Sequence, residues 1–328
     1  MIENITPEGI RAMPKLFRIT SLDRVALQPK GYQMTATLFH EQVTINATWY
    51  ANRPDIRIKP GVLVSPRYSL AQPICQNDMV RLPSVILCEL PWRSENLFKT
   101  VPDDWVTDPD LLARASALWE RLPLVWQELF NRVLWDGERF ERFCVNPGSC
   151  IGHHSVRNGN LRHMVETGEA VLALLPFHPA AHPDVSLMAA LLHDMAKADE
   201  YLLVQDRYRL TDNSILNGHK QTIGDWVAVA EDRMKLKIPA AHYMSLRHAL
   251  GAEQGVAHTS GYRRPRTPEA RLLSLADQCS GSGDLYAKLS APEGGWGTSH
   301  PHLGDVAPYS LPRKPQNGAG GAQPDRHE

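Results

Sequence analysis

A chain of 328 residues, 43% apolar and 22% charged, has the make-up of a soluble globular protein and length for about two domains. A formal net charge of −1 gives no global attraction to nucleic acid or anionic lipid and leaves only local patches. Five scattered cysteines (Cys75, Cys88, Cys144, Cys150, Cys279) without a CxxC pair argue against a disulfide framework and against a thiolate zinc site.

The chain starts MIENITPEGIRAMPK, polar where a signal peptide needs an apolar stretch. Apolar runs such as 170–175 and 187–192 are too short to span a bilayer, so a cytoplasmic protein without membrane contact is expected. Residues 14–90 read as strands. Segments 32–39 (YQMTATLF) and 42–49 (QVTINATW) alternate with period two, joined through His40-Glu41, and 57–65 and 79–90 add strand-like runs broken by Pro and Gly. Four or five short strands suggest a small barrel, OB-like in the preferred version, over residues 1–95.

After Pro91 the composition shifts. Residues 96–150 form a helical connector, with Leu118, Leu122, Val125, Leu129 and Val133 at helical spacing. Residues 151–290 read as an all-helical bundle, in which Asp184 caps one helix and Thr267-Pro268-Glu269 opens another. Residues 291–328, rich in Gly, Pro and His, are expected to be disordered. The fold class is therefore α+β multidomain, a small OB-like β-barrel followed by an all-α bundle.

The chemistry concentrates in the bundle. Residues 191–197 read LLHDMAK, so the pair His193-Asp194 closes an apolar helix. Such a dipeptide alone is more often a cap or a surface pair than a ligand pair. Its company changes the balance. His163 stands upstream on a predicted helix, Asp277 closes a second apolar run (LLSLAD), and His219 and His248 fall between. An acid behind such a run is costly to bury without a cation. Imidazole and carboxylate donors without thiolate suit manganese first, with iron, magnesium, cobalt or nickel as alternatives.

The series His163…His193-Asp194…Asp277 resembles the H…HD…D signature of the HD phosphohydrolase superfamily. That resemblance implies a helical bundle whose four named residues bind a divalent metal. Members with two metals carry two more histidines in the positions of His219 and His248, implying one or two ions here, with Asp194 as the bridge. A narrower likeness is to the YhaM-type 3′→5′ exoribonucleases, which place an OB-type domain ahead of an HD domain. His153-His154 with Gly159, Leu161 and His163 is similar to their HHxxxGGLLEHT stretch. The LLHDMAKADEY segment, with Lys197, Glu200 and Tyr201, is similar to LLHDIGKIxEY. The chain departs from these patterns at Asn160, Arg162, Ala196, Arg247 and Ala249. Similar HD domains also occur in conjugative relaxase and mobile-element proteins.

In this reading Asp194 and Lys197 are catalytic, and His153, His154, Lys197, Arg264 and Arg266 are candidates for substrate contact. A divalent ion would polarise a phosphoryl oxygen and acidify water. Residues 1–100 hold twelve Lys and Arg against eight Asp and Glu, and Tyr32, Phe39, Trp49, Tyr50 and Tyr68 are available for base stacking. The leading expectation is a metal-dependent phosphodiesterase, a 3′→5′ exonuclease on single-stranded RNA or DNA. One alternative is a phosphohydrolase of small nucleotides; another is a nucleic-acid-binding mobile-element component with a vestigial metal site.

Overall fold

The computed structural model describes residues 12–69, 75–76, 79–91, 95–205, 207–235, 237–252 and 263–312. The N-terminal meander comprises β1 (Phe17–Ala26), β2 (Tyr32–His40) and β3 (Val43–Ala51). Its register is set by alternation: Met34 faces Trp49, Ala36 faces Ala47 and Leu38 faces Ile45, all buried, while Thr35–Thr48 and Thr37–Asn46 fill the other face. β4 (Leu63–Arg67) pairs with β1, and β7 (Ser84–Leu87) pairs with β4. β6 (Met79–Arg81) lies parallel to β3 and carries β5 (Cys75–Gln76). The sheet order is β5-β6-β3-β2-β1-β4-β7. Among the described residues β5 and β7 are edges that do not pair with each other, so the small OB-like barrel that was expected is an open sheet here. The strand foreseen over 57–65 is confined to β4, because residues 56–61 turn instead.

Nine α-helices follow among the described residues: α1 (Pro109–Glu120), α2 (Leu124–Leu134), α3 (Gly137–Val145), α4 (Gly159–Leu174), α5 (Pro183–Leu192), α6 (Asp212–Leu216), α7 (Gly218–Met234), α8 (Ala240–Gly251) and α9 (Pro268–Leu289). The expected start of α9 is correct, with Thr267 Oγ1 accepting from Ala270 N–H at 3.2 Å. Asp184 lies in the first turn of α5, whose N-cap is His182, so it complements the helix dipole and does not cap. α5 is buried over its whole length from Val185 to Leu192, as expected of a helix apolar on every side. The all-helical expectation for this region fails at one place, a hairpin of β8 (Tyr201–Val204) and β9 (Arg207–Leu210).

Sheet and helices share a core. Leu16, Leu63 and Cys88 from the strand region pack in one cluster with Leu97, Phe98, Trp105, Phe140 and the helices that follow. Arg18 is 1% exposed and clamps this junction. Its guanidinium donates to Thr100 O (3.0 Å), Thr100 Oγ1 (2.9 Å) and Gly61 O (2.6 Å), and its Cζ lies 4.9 and 5.0 Å from the Trp105 and Phe140 ring centroids. Burial depresses its pKa to about 10, which leaves it charged at neutral pH.

The chain divides into two compact units, Met1–Ser280 and Gly281–Glu328. In the second, residues expected to be disordered form an antiparallel ribbon of β10 (Gly295–Trp296) and β11 (Tyr309–Ser310). Residues 313–328 of that expectation lie outside the described part. No helix of the described chain is long and apolar enough to cross a membrane.

Candidate metal centre

Three helices aim donors at one point. α4 supplies His163 from its buried face, α5 ends at Leu192 so that His193 and Asp194 leave its terminus, and α9 supplies Asp277. His163 Nε2 lies 3.1 Å from Asp277 Oδ1, 3.2 Å from His193 Nε2 and 3.3 Å from Asp194 Oδ2. His193 Nε2 lies 3.6 Å from Asp194 Oδ2 and 3.9 Å from Asp277 Oδ1. The four residues that the sequence nominated as the core of the site therefore meet.

Groups behind the ligands fix their orientation. His193 Nδ1–H donates to Ala190 O (2.8 Å), leaving the Nε2 lone pair for the cluster. His163 Nδ1 is 3.0 Å from Ser280 Oγ, and that hydroxyl donates to Glu166 Oε2 at 2.8 Å. His154 closes the same network, its Nε2 at 3.0 Å from Ser280 Oγ and 3.2 Å from Glu166 Oε2. At Leu192 the α-helix gives way to a 3-10 turn, Met195–Asp199. This turn brings Lys197 Nζ within 2.6 Å of Asp194 Oδ2 while it donates to Gly148 O at 2.9 Å. On the other side of Asp194, His219 Nε2 lies 3.3 Å from Oδ1. Glu200 Oε1 accepts from both the backbone N–H (2.7 Å) and Nδ1–H (3.0 Å) of His219.

The electrostatics favour ionised acids. Burial opposes the charge on Asp194, yet Lys197, His193 and His163 hold its carboxyl well below the usual range. Burial likewise opposes Asp277, but the hydrogen bond from His163 brings it down to about 2. For His163, burial alone would lower the pKa; its bonds to Asp194 and Asp277 outweigh that and raise it to about 9. Burial, with His163 and Lys197 nearby, lowers His153 to about 4. The two carboxylates thus share a proton on His163, in a place where a divalent cation would satisfy them better. The donor set fits such an ion: ligand atoms of His163, His193 and Asp277 lie within 4.8 Å of one another, as do those of His153, His163 and Asp194.

A cleft of about 290 Å³ opens over this cluster. Its lining includes the polar residues His153, His193, Asp194, Lys197, His219, Lys220 and Asp277 and the apolar residues Ala249, Leu250, Ala270 and Leu273. His248, expected as a ligand of a second metal, is not among the described residues lining it; its Nε2 accepts from Arg266 N–H at 2.9 Å. Arg264 and Arg266, expected to contact substrate, are exposed and likewise absent from that lining. His154 is 2% exposed and faces Ser280 and Glu166 rather than the cleft. Lys197 and His153 do face the cleft.

Sequence reasoning missed Glu166 and Ser280, although each sits three residues past a ligand and hence on its helical face. It quoted Glu200 without a role and passed over Lys220. In the sheet, Trp49 is buried, and Tyr68 has a buried hydroxyl without a hydrogen-bond partner among the described residues. Tyr32 and Tyr50 are exposed, but the pairings Tyr32↔Ala51 and Gln33↔Tyr50 put them on opposite faces. No protein-family model and no curated protein sequence matches the chain.

Proposed function

We propose that the protein is a metal-dependent phosphohydrolase of the HD type, cleaving a phosphodiester at the end of a single-stranded nucleic acid. The observation that carries this reading is the convergence of Asp194 and Asp277 on His163 and His193, at 3.1–3.9 Å, beside a cleft whose lining also includes two lysines. A divalent ion held there, manganese foremost, supplies Lewis-acid polarisation of a phosphoryl oxygen and acidification of water.

The protein's own groups have the remaining tasks. Asp194 is held ionised at neutral pH and turns its two oxygens to different neighbours, Oδ2 toward His163 and His193, Oδ1 toward His219. Lys197 neutralises Asp194 and stands at the cleft wall, where Lys220 adds a second positive charge for phosphate oxygens. The side chains of Leu250 and Leu273 in that lining suit the flat face of a base or the carbon edge of a ribose.

A second reading, hydrolysis of a small nucleotide, is favoured by one observation: among the described residues the exposed Tyr32 and Tyr50 lie on opposite faces of the sheet. The test is degradation of end-labelled single-stranded RNA and DNA with Mn²⁺, run beside a nucleotide panel, with Asp194→Asn as control. Stepwise shortening abolished by Asp194→Asn supports the nuclease. Turnover of free nucleotides alone supports the second reading, and no metal-dependent hydrolysis of either defeats both.

A further inference from the structure

We propose that His153 is a protein ligand of the same metal centre, enlarging the donor set to three imidazoles and two carboxylates, and that its task is not substrate contact. The inference rests on the metal-centre reading above. Three observations carry it. A ligand atom of His153 lies within 4.8 Å of ligand atoms on both His163 and Asp194, and its ring centroid is 4.8 Å from that of His163. Its Nε2 is buried and has no hydrogen-bond partner among the described residues. The segment that carries it is built without slack. Gly148 N–H donates to His154 O at 2.9 Å, and a Cβ on Gly159 would overlap that same carbonyl.

A buried, unpartnered ring nitrogen is destabilising if nothing ever satisfies it. A ligand atom of the same ring stands near the Asp194 carboxylate and the His163 imidazole, where a metal would satisfy it. An imidazole Nε2 has one lone pair, so His163 can serve only one ion. The two triads share His163, so an ion bound in either takes that imidazole, and the proposed site draws its other donors from both. Three nitrogen donors bias that site toward transition metals, iron, cobalt and nickel more than manganese, and away from magnesium and calcium, which prefer all-oxygen surroundings.

The experiment is titration of the full-length, chelator-stripped protein with Co²⁺, reading both affinity and the visible d–d absorption band, which reports the donor set without any activity assay. Wild type, His153→Ala, His153→Gln and His248→Ala are compared, with circular dichroism to verify folding. The expected result is that both His153 variants lose affinity by at least the roughly 10–100-fold that supporting partners of a metal ligand command, with a changed band, while His248→Ala matches wild type. A folded His153 variant with wild-type affinity and spectrum overturns the proposal and leaves the metal centre standing. Failure of the wild type to bind Co²⁺ overturns the metal centre itself.

Discussion

Lys197 Nζ lies 2.6 Å from Asp194 Oδ2, the same carboxylate oxygen that faces His163 and His193. Both groups are buried, so the ammonium acts as an internal counter-ion to the acid most central to the site. Lys197→Met should therefore destabilise the metal-free protein by about 3 kcal/mol, because it leaves two carboxylates with the single positive charge of His163 between them. In the metal-loaded protein the loss should be smaller, since the ion takes over the neutralisation. Thermal unfolding in chelator and in Mn²⁺ checks this. Equal losses in both conditions would mean that the metal does not reach Asp194.

The metal-free protein should be most stable near pH 6.5. His163 has a folded pKa of about 9, above its ordinary value. Its stabilising effect is full below pH 6.5 and is lost as pH rises toward 9, amounting to about 3 kcal/mol. His153 and His193 are lowered by burial, so they favour the folded state above pH 6.5 and penalise it as the solution becomes more acidic. Denaturant melts in chelator from pH 5 to 9 read both limbs, and His163→Gln should remove the alkaline one. Because the His163 proton competes with the ion, apparent metal affinity should climb with pH over the same alkaline range.

Ser280 tests the groups behind the ligands. Its hydroxyl is within 3.0 Å of both His163 Nδ1 and His154 Nε2, and it donates to Glu166. Ser280→Ala should weaken metal binding by roughly 10–100-fold with little change in fold, and Ser280→Thr, which keeps the hydroxyl, should restore most of it. The measurement is a competition titration against a metal-sensitive dye.

Arg18→Leu should lower stability by about 3 kcal/mol or more, because Gly61 O and both oxygens of Thr100 lose a charged donor inside the core. A urea melt followed both by tryptophan fluorescence and by helical circular dichroism should show one earlier, coincident transition. Separate transitions for the two signals would show that sheet and helices unfold independently.

His193, Asp194, His163 and Asp277 could be read from the sequence because each sits on or at the end of a helix whose apolar residues repeat strongly. The β2–β3 register was equally plain, since its buried residues alternate with threonine and asparagine. The place of His153 was not legible. It belongs to an irregular segment whose path is set by contact with Gly159, a tertiary fact with no periodic signature. His248 was nominated by chain order alone, and it instead meets the backbone of Arg266. The hairpin after the His-Asp pair was hidden because YLLV reads as well for a helix as for a strand; Gln205, at φ 47°, makes its tight turn.

The core that joins Leu16, Leu63 and Cys88 to the ligand-bearing helices has a practical meaning. The bundle is not a cassette to be excised or grafted. Removing the strands would strip the cover from Leu97, Phe98 and Phe140 and present an oily face to water. If the centre holds metal, an altered strand residue far from any histidine would then register in an assay as poor metal retention, and screens for loss of metal should recover variants in the sheet as well as in the cleft.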